Sequence, residues 1–195
     1  MAFRSKRPEA EYPNGGWRHA LGRDPVEPLL YSKNQALLYF VSRDLLGQEG
    51  STSKESLWEL PKVLGIVRKQ LPSGAWKYSG GRDYIRSKED YNQLETFRIL
   101  RVLVEKYALD KKHDSIQRAA SFLFNHQTDE GDFRGIVGNQ YAPYYSAAIM
   151  ELLIKAGYAD GARILNGFRW LLSIRQDDGG WAFPLRTVGR NWTFR

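Results

Sequence analysis

The sequence contains no cysteine. That excludes a disulfide framework, a thiol nucleophile and any zinc site built on thiolates. No apolar run approaches the roughly 18–20 residues that a membrane span requires. Met1 to Pro13 is polar, with Arg4, Lys6 and Arg7 but no apolar core, so it is not a secretory signal. These absences point to a cytoplasmic, reducing environment. Strand-like alternation is missing over any useful length. Histidine is scarce: His19, His113 and His126 are the only three, and none pairs at metal-ligand spacing. No metal site and no cofactor are expected. The glycine-dense stretch Ser79 to Tyr84 is not followed by Gly-Lys-Ser/Thr, so it reads as an ordinary turn rather than a phosphate loop. No Gly-x-Ser-x-Gly elbow is present.

The 195 residues suit one domain or a piece of one, and 42% hydrophobic with 26% charged residues is a composition that folds. The net charge is +7. The basic residues are scattered, with Lys111-Lys112 and Arg4/Lys6/Arg7 the densest groups. This pattern is a solvated basic surface, not a nucleic-acid site, and is compatible with weak association at a membrane surface.

A repeat organises what is there. Gln70 to Trp76 reads QxxxGxW and Gln127 to Phe133 reads QxxxGxF; Gln176 to Trp181 is the same motif one residue shorter. The glutamines are 57 and 49 residues apart. The pairs Asn34-Gln35, Asn92-Gln93 and Asn139-Gln140 precede them by 36, 35 and 37 residues, each ahead of an apolar helical stretch. Each unit therefore holds two helices. The buried ones are expected near residues 31–46, 91–108 and 143–156, the third opened by Pro143 and ended by Gly157. The outer ones are expected at Pro61 to Lys69, Ile116 to Phe124 with Asp114 as N-cap, and Ala162 to Ile174 with Asp160 as N-cap. The fold class is all-α, as three consecutive αα-hairpins. The glutamine turns have a structural reading of their own. Gly74, Gly131 and Gly180 allow a positive φ, the amides of Gln70, Gln127 and Gln176 bind free groups at helix ends, and Trp76, Phe133 and Trp181 cover them.

These turns, with Tyr91 to Phe97 and Arg175 to Trp181, resemble the QW repeats of the terpene cyclase and protein prenyltransferase superfamily, most of all its prokaryotic prenyltransferase and squalene-oxidase repeat proteins. The resemblance covers about Tyr31 to Arg186. It implies an α/α toroid, of which this chain holds about three of six hairpins in residues 27–195, behind a polar segment 1–26. It implies an isoprenoid or lipid-like ligand, and either the remaining half of a longer chain or a second copy to complete the ring. The DxDD acid of the class II cyclases is absent: Asp129-Glu130-Gly131-Asp132 and Asp177-Asp178 sit in the turns, where aspartate is ordinary. The zinc site of the protein prenyltransferases cannot be formed without cysteine.

Tyr91, Tyr141, Tyr144 and Tyr145 fall at the starts of the buried helices, where aromatic rings suit a prenyl chain or a carbocation. The candidate substrate-binding residues are Asn34, Asn92, Asn139, Gln140, Tyr141 and Tyr145. Glu95 is the one carboxylate among them and the candidate acid or base. Two alternatives stand beside the isoprenoid reading: a non-catalytic binding or scaffold toroid, and a polysaccharide lyase-type toroid. The competing role for the Asn-Gln pairs is helix capping without a ligand.

Overall fold

The computed structural model describes Leu21 and residues 23–48, 53–80, 88–136 and 140–181, with the side chains of 88–90 excepted. The chain divides into two compact units, residues 1–57 and 58–195. The division falls between Leu57 and Trp58.

In the first unit α1 (Glu27–Leu30) packs on α2 (Gln35–Phe40), which continues as a wider π-type turn over Val41–Leu45. Asn34 caps α2: its side-chain oxygen accepts from the N–H groups of Ala36 and Leu37 at 3.1 and 3.3 Å. The helix ends on Gly47, at φ +60°, with the Gln48 N–H bonded six residues back to the Ser42 carbonyl. This is the closure expected where a left-handed residue follows a helix. A short helix, α3 (Lys54–Trp58), spans the division between the units.

The second unit begins with α4 (Pro61–Val67), Pro61 sitting in the first turn where its missing N–H costs nothing. Two helical pairs follow. The first is α5 (Lys88–Tyr107) and α6 (Asp114–Phe124); the second is α7 (Pro143–Leu153), extended by a π-type turn over Ile154–Tyr158, and α8 (Ala162–Ser173). Helix α5 packs on α6 and α7, and α7 on α8. Leu100, Leu103, Ile116, Leu123, Ile149, Leu153 and Ile164 are fully buried and form the core. Each such side chain contributes about 1.5–3 kcal/mol. Gly167 lets α7 and α8 approach, since a Cβ there would meet Met150 Sδ at 2.1 Å. Helix α5 closes as α2 does, but on Ala108 (φ +53°), with the Leu109 N–H on the Leu103 carbonyl. Gly157 (φ +98°) ends the α7 segment, and the Lys111 N–H takes up the Ala156 carbonyl.

The helix starts differ from the sequence expectation in three places. Helix α5 begins at Lys88, so Asn92 lies one turn inside it. The cap of α6 is His113, whose Nδ1 accepts the Ser115 N–H at 3.1 Å, and Asp114 is the first helical residue. Helix α8 starts from Gly161 without a side-chain cap, so Asp160 does not fill that role.

The glutamine turns hold the second unit together. In the first, one Gln70 Nε2 donates to two carbonyls, Gly74 at 2.8 Å within the turn and Ser115 at 2.9 Å in α6. In the second, Gln127 Nε2 donates likewise to Gly131 at 2.8 Å and to Arg163 of α8 at 2.9 Å. Ser115 and Arg163 are each the second residue of the following outer helix. Gly74 and Gly131 have φ of +88° and +114°, and a Cβ on either would strike the carbonyl of that helix's fifth residue, Arg118 or Asn166. The aromatic residues Trp76 and Phe133 are almost fully buried beside them. Their backbone N–H groups donate to Thr96 Oγ1 of α5 and Ser146 Oγ of α7, at 2.9 and 3.0 Å. Each turn is thus clasped by both helices of the next pair.

The third turn repeats the shape one residue earlier than the motif suggests. Its left-handed glycine is Gly179 (φ +89°), not Gly180. Arg175, not Gln176, occupies the amide position, and its Nε donates to the Gly179 carbonyl at 3.0 Å. The amide position lies six residues before the aromatic in all three turns: Gln70 before Trp76, Gln127 before Phe133 and Arg175 before Trp181. The Trp181 indole donates to the carbonyl ten residues back, Leu171, as Trp76 does to Ile66. Gln176 is exposed.

Replacing Gln127 by alanine leaves two carbonyls unpaired and should destabilise the fold by about 1–2 kcal/mol, whereas Gln176→Ala should cost less than about 0.5 kcal/mol. Urea denaturation of both variants measures the contrast. A second expected outcome concerns pH. Burial pushes the His113 imidazole below its ordinary value, against the opposing pull of Asp114, Glu59 and Asp110. The unfolded chain then binds the proton more readily, so the stability held by this cap is complete above about pH 6.5 and is lost as pH falls towards the lower folded value. His113→Asn keeps an acceptor that does not titrate in this range. Unfolding midpoints between about pH 7 and 5 should fall for the natural chain more steeply than for this variant.

Candidate functional site

The sequence places its candidate binding residues at helix starts, and the structure gives most of those described a definite partner. Asn34 is occupied by capping α2. Asn92 Oδ1 accepts the Tyr78 N–H at 2.9 Å and so fastens the chain leaving the first turn to α5. Asn139 lies outside the described residues. Gln140 is exposed. Glu95 is half-buried and faces Arg98, one turn on, at 3.8 Å.

The tyrosines enter two different groups. Tyr141 belongs to a polar group at the second turn. Its hydroxyl donates to Glu130 at 3.0 Å, and its ring stacks on Trp170 with centroids 6.1 Å apart. The Arg134 guanidinium lies 4.5 Å from the centre of the Tyr141 ring. Arg134 also pairs with Asp132 at 2.9 Å and with Glu130 at 3.1 Å. Asp132 is fully buried, and its second oxygen accepts the Thr128 hydroxyl. The bond to Asp132 is the main reason that the Arg134 guanidinium is held above its ordinary value. This aspartate, like Asp178, which accepts the Gly180 N–H at 2.8 Å, serves its turn.

Tyr145 belongs to an aromatic group between α5 and α7. Its ring meets Phe97 edge-on at 6.4 Å and Tyr144 edge-on at 5.4 Å. Phe97 is buried, Tyr145 half-buried, and Tyr144 is 57% exposed, so the three rings lead from the interior to the surface. The Arg101 guanidinium stands 5.6 Å from the Phe97 ring centre. Beyond it, charges are paired across the same two helices: Lys155 lies 2.8 Å from both Glu105 and Glu151, and Arg101 is 3.3 Å from Glu105.

An open cleft of about 470 Å³ lies where the second turn meets the start of α8, lined in part by Asn125, Thr128, Asp129, Arg163 and Asn166. Its walls are those of the turn–helix seam. No helix of the described residues is long and apolar enough to cross a membrane, and among them no three His, Asp or Glu side chains converge as a metal site would require.

Two buried hydroxyls, one on α5 and one on α7, were not singled out from sequence. Thr96 and Ser146, 50 residues apart, are the matched hydroxyls that receive the turn backbones. Short hydroxyl residues inside an apolar helix were the available signal. Gln93, named in sequence only as the second member of an Asn-Gln pair, is fully buried on α5 one turn before Phe97, with neither end of its amide hydrogen-bonded. Buried amides are nearly always paired, which makes this one exceptional.

Residues 89–187, half the chain, match the family model described as the squalene-hopene cyclase C-terminal domain. No curated protein matches the sequence. Among solved structures, a protein from Actinoplanes aligns with a TM-score of 0.43 at 19% identity, over 64% of this chain and 35% of its own length. The chain thus spans about a third of that protein.

Proposed function

Because the chain belongs to the squalene-hopene cyclase C-terminal domain family, an all-α fold of the α/α-toroid kind, we propose that it forms part of the wall of an apolar site for an isoprenoid chain. In this reading the three turns are the QW repeats of that fold, and their role is to hold the helices that carry the site. The observation behind the proposal is the line of rings Phe97, Tyr145 and Tyr144 between α5 and α7. Edge-to-face rings expose electron-rich faces that attract polarisable double bonds and cationic carbon. The exposed ring of Tyr144 offers an entry from the surface.

The proposed role is binding rather than proton donation. Glu95, Glu130, Asp132 and Asp178 each already face a donor of this chain. Glu95 is accordingly a salt-bridge partner of Arg98 in this account, and the acid of a cyclisation would come from elsewhere. Association with a membrane surface, where such substrates reside, fits the same reading.

The test is binding of squalene, delivered in detergent micelles, followed by quenching of intrinsic fluorescence. The natural chain should bind. The Tyr144→Ala/Tyr145→Ala variant, its helicity checked by circular dichroism, should bind at least about tenfold more weakly. Equal affinity of the two chains, or no binding by either, contradicts the proposal.

A further inference from the structure

The side-chain amide of Gln93 is fully buried on α5 and, among the described residues, bonded at neither Nε2 nor Oε1. Its polar neighbours are committed elsewhere. Asn92 accepts the Tyr78 N–H. Thr96, one turn on, donates to the Asn92 carbonyl at 2.6 Å and accepts the Trp76 N–H. The glutamine turns do not use the amide either. Thr96 and Ser146 hold equivalent places 50 residues apart, and on that register the counterpart of Gln93 is Pro143. The second helical pair therefore receives its turn with no polar side chain at this position. Folding alone gives a glutamine no use here, since an apolar side chain of its length would avoid burying two unpaired groups.

The place of the amide supplies a use. Gln93 and Phe97 are four residues apart and share a face of α5. Helical side chains lean towards the N-terminus, so the Phe97 ring lies over the turn that carries Gln93. Phe97 meets Tyr145, and Tyr145 meets the exposed Tyr144. The line of rings thus reaches the surface at one end and has an unpaired amide beside the other.

We propose that Gln93 sets the specificity of this site by binding a hydroxyl at the leading end of the apolar chain, so that the ligand is an isoprenoid alcohol and not a hydrocarbon. The assignment rests on the isoprenoid reading above. A primary amide presents donors at Nε2 and an acceptor at Oε1. A hydroxyl answers both, because its oxygen accepts from Nε2 while its own proton goes to Oε1. An ether or a fully ionised phosphate brings acceptors only and leaves Oε1 unpaired. A hydrocarbon leaves both ends unpaired. Sites that bond a ligand hydroxyl reject the analogue lacking it, since the buried partner is then left without a bond.

Farnesol, farnesyl methyl ether and farnesene share a terpene chain and differ at that end. Each is offered to the full chain in detergent micelles and followed by intrinsic fluorescence. The natural chain should bind farnesol at least about tenfold more tightly than farnesene or the ether. Gln93→Met keeps the length of the side chain and removes the amide. It should abolish the preference by weakening farnesol alone, with farnesene unchanged; both chains meet the same micelles, so partition cancels. In urea the variant should be at least as stable as the natural chain, because the amide it removes has no partner in the fold. Equal affinity of the natural chain for farnesol and farnesene overturns the assignment of Gln93. So does a preference that persists in Gln93→Met, or a lower unfolding midpoint for that variant. Each of these leaves the isoprenoid reading standing on squalene. Binding of neither farnesol, farnesene nor squalene overturns both.

Discussion

One amide nitrogen with two acceptors governs the architecture of residues 58–195. Nε2 of Gln70, and again of Gln127, donates one proton to the carbonyl of its own turn and the other to the first turn of the next outer helix. Glutamine suits the position because its terminal nitrogen carries two donors in one plane, at the end of a side chain long enough to leave its own helix. Each bond alone contributes about 1 kcal/mol. Its larger effect is positional. The turn glycine must lie flush against a helix backbone for both bonds to form, and the buried aromatic keeps competing water away. The same turn passes its next N–H to a hydroxyl of the following buried helix, Thr96 or Ser146. Order in one pair of helices therefore depends on order in the pair before it.

At the third turn the donor is different. Arginine at position 175 keeps the internal bond to glycine but carries a bulkier, charged head, which folds over the glycine where a helix carbonyl lies at the first two turns. The local turn survives, with its left-handed glycine and its indole bond to Leu171. Among the described residues no outer helix lies against this turn, and Leu165, Phe168 and Leu172 of α8 are exposed. The turn shape thus forms with either side chain, and the two clasps seen among the described residues are both made by glutamine.

The helices and the turns were legible in the sequence because their signals are local. Pro143 fixes a helix start, Gly157 and Gly47 fix helix ends, and Asn34 has the short acceptor that a cap needs. The alignment of the third turn was not legible. Gln176 completes the pattern by identity, whereas geometry counts back six residues from the aromatic and arrives at Arg175. The Asn-Gln pairs are not structural equivalents of one another. Asn92 and Asn34 do different work, and the residues that match between the two helical pairs are the small hydroxyls Thr96 and Ser146. Their importance lies in a partner from another segment, which no local pattern encodes. At α6, aspartate is the commoner cap, yet His113 accepts the bond, its ring edge-on to Trp58 at 5.5 Å, and Asp114 takes the first helical position. Of the proposed site, the tyrosines at the start of α7 were visible in sequence, but the division that sends Tyr145 to Phe97 and Tyr141 to Glu130 is tertiary.

The central claim is that the turn amide and the following outer helix are energetically coupled. The first seam gives the cleanest access, because Ser115 is fully buried and its hydroxyl donates back to Gln70 Oε1 at 2.7 Å. A double-mutant cycle with Gln70→Ala, Ser115→Ala and the pair, read by urea denaturation, isolates that interaction. We predict a coupling of about 1 kcal/mol in favour of the natural pair. Additive effects, within about 0.3 kcal/mol, would mean that the side-chain bond across this seam does not couple turn to helix, and would contradict the account.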